Sequence, residues 1–311
     1  MRLWRLSLGV ALSVLIALGG SVAAAETPRV TLTGPAREKS QWVGRPILIG
    51  VTATGFTTGW IEVREPTGTL VLPLERKRRN YVTYTPTESG ELGITAIVVA
   101  DGDPREWKSS ITLTVYPTDA AERIDWLIRA ALESVGSDDT EQILQDCDMT
   151  LEDDWCAAYI GWCAKQVRLP SAVGLKAVFA GIDLYEGVDA ASIPCRQCRS
   201  VHSARFHVDV VDPAASPQPG DLVFFIWGSK AAEQEKLHQG YRTDWHGNAN
   251  HVGLVTAVYG DTFEFVQGNV RLENGRLGVA LNRSSDEKEG GTYADWVIAF
   301  GRPHYDAPQP D

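Results

Sequence analysis

The 311-residue chain has little positive charge, few cysteines and only one long apolar run. Its 29 Lys and Arg residues are outnumbered by 40 Asp and Glu residues, which gives a formal net charge of −11. An acidic surface excludes nucleic acid as an expected partner and repels anionic polymers at long range, so short-range contacts would have to hold the substrate. No segment after residue 25 is apolar over a length that could cross a bilayer.

The one apolar run, Leu8 to Ala25, follows Arg2 and Arg5 and ends in small residues, as secretory signal peptides do. We therefore predict a signal peptide over residues 1–25 and a secreted, periplasmic or cell-envelope protein. Cleavage would remove two cations and no acid, moving the formal charge from −11 to −13. A retained membrane anchor is the alternative, because 18 apolar residues nearly span a bilayer. Membrane association is expected only in that case, and the protein is expected to be a monomer.

The five cysteines all lie in the second half of the chain, at Cys147, Cys156, Cys163, Cys195 and Cys198. In an exported protein this odd number predicts two disulfides and one free thiol, as in a cysteine hydrolase. Cys156 and Cys163 cannot pair with each other, because seven helical residues separate their Cα atoms by about 10 Å. The Cys195 to Cys198 spacing also fits a zinc site completed by Cys147 and Cys163. We favour a structural disulfide there, and we predict no metal and no cofactor.

Residues 28–117 predict an all-β immunoglobulin-like sandwich. Seven short β-rich runs between Val30 and Tyr116 are broken by Gly, Pro, Asn and Asp about every ten residues. The segment ESGELGITAIVVADGDPREWKSSITLTVYP resembles bacterial immunoglobulin-like domains. Such a domain could bind a partner or act as a spacer. We favour the spacer, on the expectation that no exposed aromatic cluster or basic patch marks a site in it.

Residues 118–304 predict a second domain, followed by a flexible tail at 305–311. Helices are predicted from Ala120 to Val135, through Ile143 and Leu144, from Asp153 or Asp154 over roughly four turns, and from Val173 to Ala180. Strands are predicted from Asp221 to Trp227, from His251 to Val258, and from Thr262 to Gln267.

Cys156 falls in the first turn of the third predicted helix, where backbone N–H groups and the helix dipole favour the nucleophilic thiolate. The alternative is an ordinary buried cysteine, since Cys156 shares one helical face with Ile160, Cys163 and Val167.

His251 opens a predicted strand that pairs with the strand starting at Thr262. A three-residue loop would set His251 opposite Asn269, whose side-chain oxygen could orient the imidazole, with Gln267 on the same face. A two-residue Gly-Asp turn would instead put Val270 opposite His251, and a bulge would then be needed to place Asn269 there. The alternative is that His251 is an ordinary strand histidine and Asn269 an ordinary loop residue.

Three tryptophans are candidates for substrate binding: Trp155, Trp227 and Trp245. Trp227 and Trp245 flank a long polar segment, from Gly228 to Asn250, where aromatic rings could stack on sugar or peptide or simply hold the loop to the body of the domain.

The motifs WCAAYIGWCAKQ, PGDLVFF and HVGLVTAVYGDTFEFVQGN, in this order, resemble the CHAP family of cysteine- and histidine-dependent amidohydrolases and peptidases, related to NlpC proteins. The resemblance covers roughly Ala121 to Pro303. It implies a papain-like α+β domain in which helices pack on an antiparallel sheet, and hydrolysis of amide bonds in peptidoglycan. By position it makes Cys156 the nucleophile, His251 the base and Asn269 the orienting residue.

The chain departs from the family pattern at Gln267, where many members have Glu. A neutral amide can accept a hydrogen bond but cannot stabilise imidazolium by charge. We therefore predict an exported cysteine-dependent peptidoglycan hydrolase that acts through a thioester. The alternatives are an NlpC-type stem-peptide endopeptidase and a weakly active or inactive wall-binding or adhesion protein.

Overall fold

The computed structural model describes residues 27–35, 41–137, 140–147, 149–150, 155–169, 175–176, 205–206, 209–211, 216–225, 251–288 and 290–307. The predicted signal peptide, the capping residues Asp153 and Asp154, Cys195, Cys198, Trp227, Trp245 and the segment 228–250 lie outside these residues. Within the described part of the chain, no helix combines the length and the apolarity needed to cross a membrane.

The structure describes eight strands in the N-terminal domain. They are β1 (Arg29–Gly34), β2 (Gln41–Trp42), β3 (Ile47–Thr54), β4 (Thr58–Glu65), β5 (Gly68–Pro73), β6 (Arg79–Tyr84), β7 (Gly90–Ala100) and β8 (Asp103–Tyr116).

These strands form two sheets, in the orders β1-β3-β6 and β2-β8-β7-β4-β5, and every pairing is antiparallel except that of β2 with β8. Alternate residues point into the shared core, so that Leu92, Ile94, Ala96 and Val98 of β7 are all buried. The predicted immunoglobulin-like β-sandwich is confirmed as a two-sheet β domain.

Among its described residues, the second domain contains three α-helices, α1 (Ala120–Glu133), α2 (Thr140–Asp146) and α3 (Cys156–Gln166), and a 3-10 helix at Tyr293–Trp296. Its strands are β9 (Leu175–Lys176), β10 (Arg205–Phe206), β11 (Asp209–Val211), β12 (Leu222–Phe225), β13 (His251–Tyr259), β14 (Thr262–Arg271), β15 (Leu277–Arg283), β16 (Glu287–Lys288), β17 (Gly291–Thr292) and β18 (Val297–Arg302).

Six of these strands form one antiparallel sheet, in the order β11-β18-β12-β13-β14-β15. One face contributes Leu254 and Val266 to a core shared with α1 and α3, including Tyr159. The other face carries a second apolar cluster that includes Phe225 and Phe265. Strands β12, β13 and β14 are therefore buried on both faces, which explains their nearly continuous apolar sequences.

The predicted α+β papain-like fold class is wrong. The part of the chain that the structure describes is mostly β, with 51% strand and 18% helix, and α2 is only seven residues long. Segments that we predicted to be helical contribute less helix than expected: α3 spans 11 residues, and Leu175–Lys176, inside the helix predicted from Val173 to Ala180, is a strand. The apolar runs rich in β-branched and aromatic residues instead extend a six-stranded sheet.

The segment at Tyr305 to Ala307 is not the flexible tail that we predicted to begin at residue 305. Nη1 of the fully buried Arg123 donates to the carbonyl oxygens of Tyr305 and Ala307, each at 2.6 Å. The Tyr305 hydroxyl donates to the Gly220 carbonyl at 2.7 Å. The chain around residue 305 therefore packs against the start of the second domain, because these hydrogen bonds satisfy its buried carbonyl groups.

Candidate functional site

Helix α3 begins at Cys156, and its N-cap is Trp155, not Asp153 or Asp154 as predicted. The Trp155 side chain makes no capping hydrogen bond, while its carbonyl accepts the Tyr159 N–H at 2.9 Å. The N-cap residue therefore supplies no side-chain acceptor for the backbone N–H groups of the first turn, where Cys156 lies. Those groups and the helix dipole favour negative charge at this position.

The first turn of α3 lies directly on strand β14 at Gly268. A Cβ atom at Gly268 would lie 2.7 Å from the Tyr159 Cβ and 2.8 Å from the Trp155 Cζ3, closer than real Cβ contacts. Glycine is therefore required for this close approach. Cys156, which follows Trp155, is only 1% exposed. Trp155 is fully buried, which leaves no surface for the substrate stacking we predicted for it.

The β13–β14 hairpin closes with a two-residue turn, so the predicted three-residue loop is wrong. Tyr259 pairs with Thr262, and Gly260 takes the turn with φ 63°. A bulge between Val255 and Ala257 then shifts the register by one residue, so that Leu254 pairs with Val266. This is the bulge that the alternative two-residue turn required.

His251 is the first residue of β13 and is 5% exposed. It pairs with Phe225 of β12, and the two ring centroids are 6.3 Å apart. Burial lowers the pKa of the imidazole to about 3; a hydrogen bond with the Gln267 side chain raises the pKa, and the charge of Lys288 lowers it further. At neutral pH the imidazole is therefore uncharged and able to take up a proton.

The side-chain amide of Gln267 is fully buried and held in one orientation. Its Nε2 donates to Asn282 Oδ1 at 2.7 Å and to the Tyr293 hydroxyl at 3.2 Å. Since these contacts use both N–H groups, the amide oxygen is the atom left to act on His251, where it raises the imidazole pKa. This buried oxygen has no partner within hydrogen-bond geometry among the described residues, and it adds no charge to the site.

Asn269, which we predicted to orient His251, lies in a second bulge, between Gln267 and Val270. Its backbone is left-handed, with φ 60°, and its side chain is half-buried. The side chain that raises the pKa of the imidazole is that of Gln267. Sequence reasoning missed Asn282 and Tyr293 because each is more than ten residues from Gln267, and only the β14–β15 pairing and the 3-10 helix bring them close.

Of the four residues predicted to be catalytic, Cys156 adjoins Trp155, whose ring packs on Gly268, and Gly268 lies between Gln267 and Asn269. Cys156 belongs to the core on the α3 face of the sheet. His251 and Gln267 instead contact Phe225 and Tyr293, which belong to the apolar cluster on the other face.

The predicted pairing of four cysteines is wrong. Cys147, Cys156 and Cys163 are all buried, and none of the three is in a disulfide. Burial raises the pKa of both the Cys147 and Cys163 thiols to about 12, and the Cys147 Sγ donates to the Ala158 carbonyl at 3.7 Å. These two thiols fill the core between α2 and α3, so at most Cys195 and Cys198 remain to pair within the chain. Among the described residues, no group of three or more His, Cys, Asp or Glu side chains could hold a metal ion.

No family model matches the chain, and no curated protein matches it. The solved structures similar to the chain include three that match about 30% of its length. One is an engineered protein, with 16% identity and a TM-score of 0.25 over 30% of this chain and 21% of that chain. The second is the set of Clostridium thermocellum CbhA fibronectin(III)-like modules, with 20% identity and a TM-score of 0.22 over 29% of this chain and 98% of that chain. The third is a Pyrococcus furiosus CARDB domain in complex with di-metal ions, with 18% identity and a TM-score of 0.20 over 29% of this chain and 87% of that chain. The chain thus spans about a fifth of the engineered protein.

Proposed function

We propose that the protein is an exported cysteine hydrolase that cleaves an amide or peptide bond of bacterial peptidoglycan. The observation that supports this most is that the first turn of α3, where Cys156 lies, packs on Gly268 of β14, the residue after Gln267, whose side chain acts on His251. The order of the three sequence motifs, which resembles the CHAP family, supports the same chemistry.

In the proposed reaction, the neutral imidazole of His251 takes the thiol proton as Cys156 Sγ attacks the amide carbonyl carbon. Backbone N–H groups in the first turn of α3 would stabilise the oxyanion. His251 then gives the proton to the leaving amine, and the acyl group stays on sulfur as a thioester. Water, deprotonated by His251, attacks the thioester and regenerates the thiol. Gln267 keeps the ring oriented through these steps.

A second candidate function is wall binding or adhesion by a protein whose hydrolase site is inactive. The observation that favours it is burial, because Cys156 and His251 are 1% and 5% exposed. The neutral Gln267 favours it as well, since an amide cannot stabilise the imidazolium that forms during turnover.

Digestion of purified peptidoglycan separates these functions. The chain from Glu26 onward should release soluble fragments, and mass spectrometry of the new amine terminus distinguishes an amidase, which frees the first stem-peptide residue, from an endopeptidase, which cuts within the stem or cross-link. Binding to the wall polymer without any new terminus would support the inactive alternative and contradict the proposal.

A further inference from the structure

Four consecutive cations, Arg76 to Arg79, form an exposed loop on this acidic protein. The loop connects β5 to β6 and so crosses from one sheet of the sandwich to the other. Our sequence-based expectation that no basic patch marks this domain did not take the loop into account. We call this cluster the basic loop.

The backbone of the basic loop is held in a defined shape by the buried side chain of Asn80. Asn80 Oδ1 accepts the Glu75 N–H at 2.9 Å, and Nδ2 donates to the carbonyls of Glu75 and Lys77 at 3.1 and 3.0 Å. The Arg78 carbonyl also accepts the Ala53 N–H at 2.9 Å. The cations are therefore presented on a fixed backbone, which lowers the conformational entropy lost on binding.

Most of this positive charge is not neutralised by the protein. Lys77 pairs with Glu75 at 2.5 Å, but among the described residues the guanidinium groups of Arg76, Arg78 and Arg79 form no ion pair. The nearby β7–β8 turn adds the exposed Asp101, while Asp103 is paired with Arg105 at 2.6 Å. The end of the sandwich that carries the loop is therefore net positive in a chain of net charge −11.

The topology of the sandwich places the basic loop at the end where the chain enters. Arg29, the first residue of β1, pairs with Thr54 at the end of β3, next to Ala53, which contacts the loop. The second domain follows from the opposite end, at Tyr116, after the 14 residues of β8. At about 3.3 Å per residue this strand spans roughly 45 Å.

We propose that the basic loop binds the anionic phospholipid headgroups of a membrane, with the sandwich holding the second domain about 45 Å from that surface. A compact cluster at the tip of a domain suits a flat anionic surface, whereas a polymer chain is usually bound along an extended basic groove. In the alternative in which the apolar run from Leu8 to Ala25 is retained as an anchor, the entry of the chain at this same end gives the same orientation. This inference does not depend on the proposed hydrolase activity.

Vesicle co-sedimentation tests the proposal with the chain from Glu26 onward, so that the apolar N-terminal run cannot contribute. We expect binding to vesicles of phosphatidylglycerol and phosphatidylcholine, no binding to phosphatidylcholine alone, and loss of binding at high salt. Each cation near an anionic surface contributes roughly a fivefold gain in affinity, so the triple variant Arg76→Gln, Arg78→Gln and Arg79→Gln should bind about 100-fold more weakly.

The matched control changes three exposed arginines elsewhere, as Arg64→Gln, Arg129→Gln and Arg276→Gln, and so removes the same total charge. It should bind anionic vesicles like the unmodified chain, with both variants keeping the same circular dichroism. Equal weakening in both variants, binding to phosphatidylcholine alone, or binding to soluble poly(glycerol phosphate) without binding to vesicles would each overturn the proposal.

Discussion

Gln267 donates a 2.7 Å hydrogen bond from Nε2 to Asn282 Oδ1, on the neighbouring strand β15. This contact, with the one to Tyr293, fixes the orientation of a neutral amide, and the effect of that amide on His251 is to raise the imidazole pKa. A carboxylate at this position would add negative charge beside the imidazole and favour imidazolium. The neutral amide instead favours a histidine that is uncharged before the reaction begins.

Replacing Gln267 by Glu should raise the pKa of His251, because a nearby carboxylate favours imidazolium. His251 must be neutral to take the thiol proton, so the acidic limb of the activity profile should move to higher pH. The measurement is turnover against pH for the two proteins. Gln218→Glu, which adds the same charge at an exposed position, should leave the limb in place. An unchanged limb in Gln267→Glu would remove Gln267 from the site.

The buried His251 should make the protein less stable in mild acid. Its pKa is about 3 when folded and about 6.5 when unfolded, so between these values the unfolded chain binds a proton that the folded protein does not. Stability should therefore fall as pH decreases from 6.5 to 3, by an amount on the order of 4 kcal/mol. Urea denaturation across this range measures it. His251→Gln should lack this part of the pH dependence; identical slopes for the two proteins would contradict the burial of a neutral imidazole.

Gly268→Ala should destabilise the second domain by about 1–3 kcal/mol, the usual cost of overpacking. The added methyl group would overlap the Tyr159 Cβ and the Trp155 ring, neither of which can move without shifting the first turn of α3. Thermal melting and activity should both decrease. Gly68→Ala is the control, since nothing lies within 4 Å of a Cβ there. A fully stable and active Gly268→Ala variant would show that α3 does not need this close approach.

A thiol titration of the unfolded protein should find more than the one thiol expected from the sequence, and two of these thiols should be unreactive in the native protein. In the native protein, Cys147 and Cys163 should not react with a thiol reagent at neutral pH, because both are buried and burial raises their pKa to about 12. Unfolding without reductant should release at least three thiols per chain. A titration that finds one thiol would restore the two-disulfide pattern and contradict the structure.

The sandwich and the strands around His251 could be predicted from the sequence. Apolar residues alternate with polar ones in β7 and are continuous in β12 and β13, and these patterns mark which side chains are buried. The cap of α1 is a local signal too: Asp119, directly before the helix, accepts the Glu122 N–H at 3.1 Å. The register of the hairpin was not predictable, because a two-residue turn with a bulge and a three-residue loop without one suit the same residues.

The hydrogen-bond partners of Gln267 could not be predicted from the sequence either. Asn282 and Tyr293 contact it only because β15 and the 3-10 helix return to this end of the sheet, and no periodic pattern encodes that meeting. The fold class was misjudged for a related reason. The motifs that resemble a cysteine hydrolase family cover a few short segments, whereas strand content is set by the whole chain.

The central claim, that Cys156 carries the chemistry, is tested most directly by comparing Cys156→Ala with Cys163→Ala. Both cysteines lie in α3 and both are buried, so each change removes one sulfur from the same core. The measurement is release of new amine termini from purified peptidoglycan, with circular dichroism and melting temperature taken for each variant. The account predicts that Cys156→Ala stays folded and loses all release, while Cys163→Ala retains it. Release that persists in folded Cys156→Ala would contradict the account.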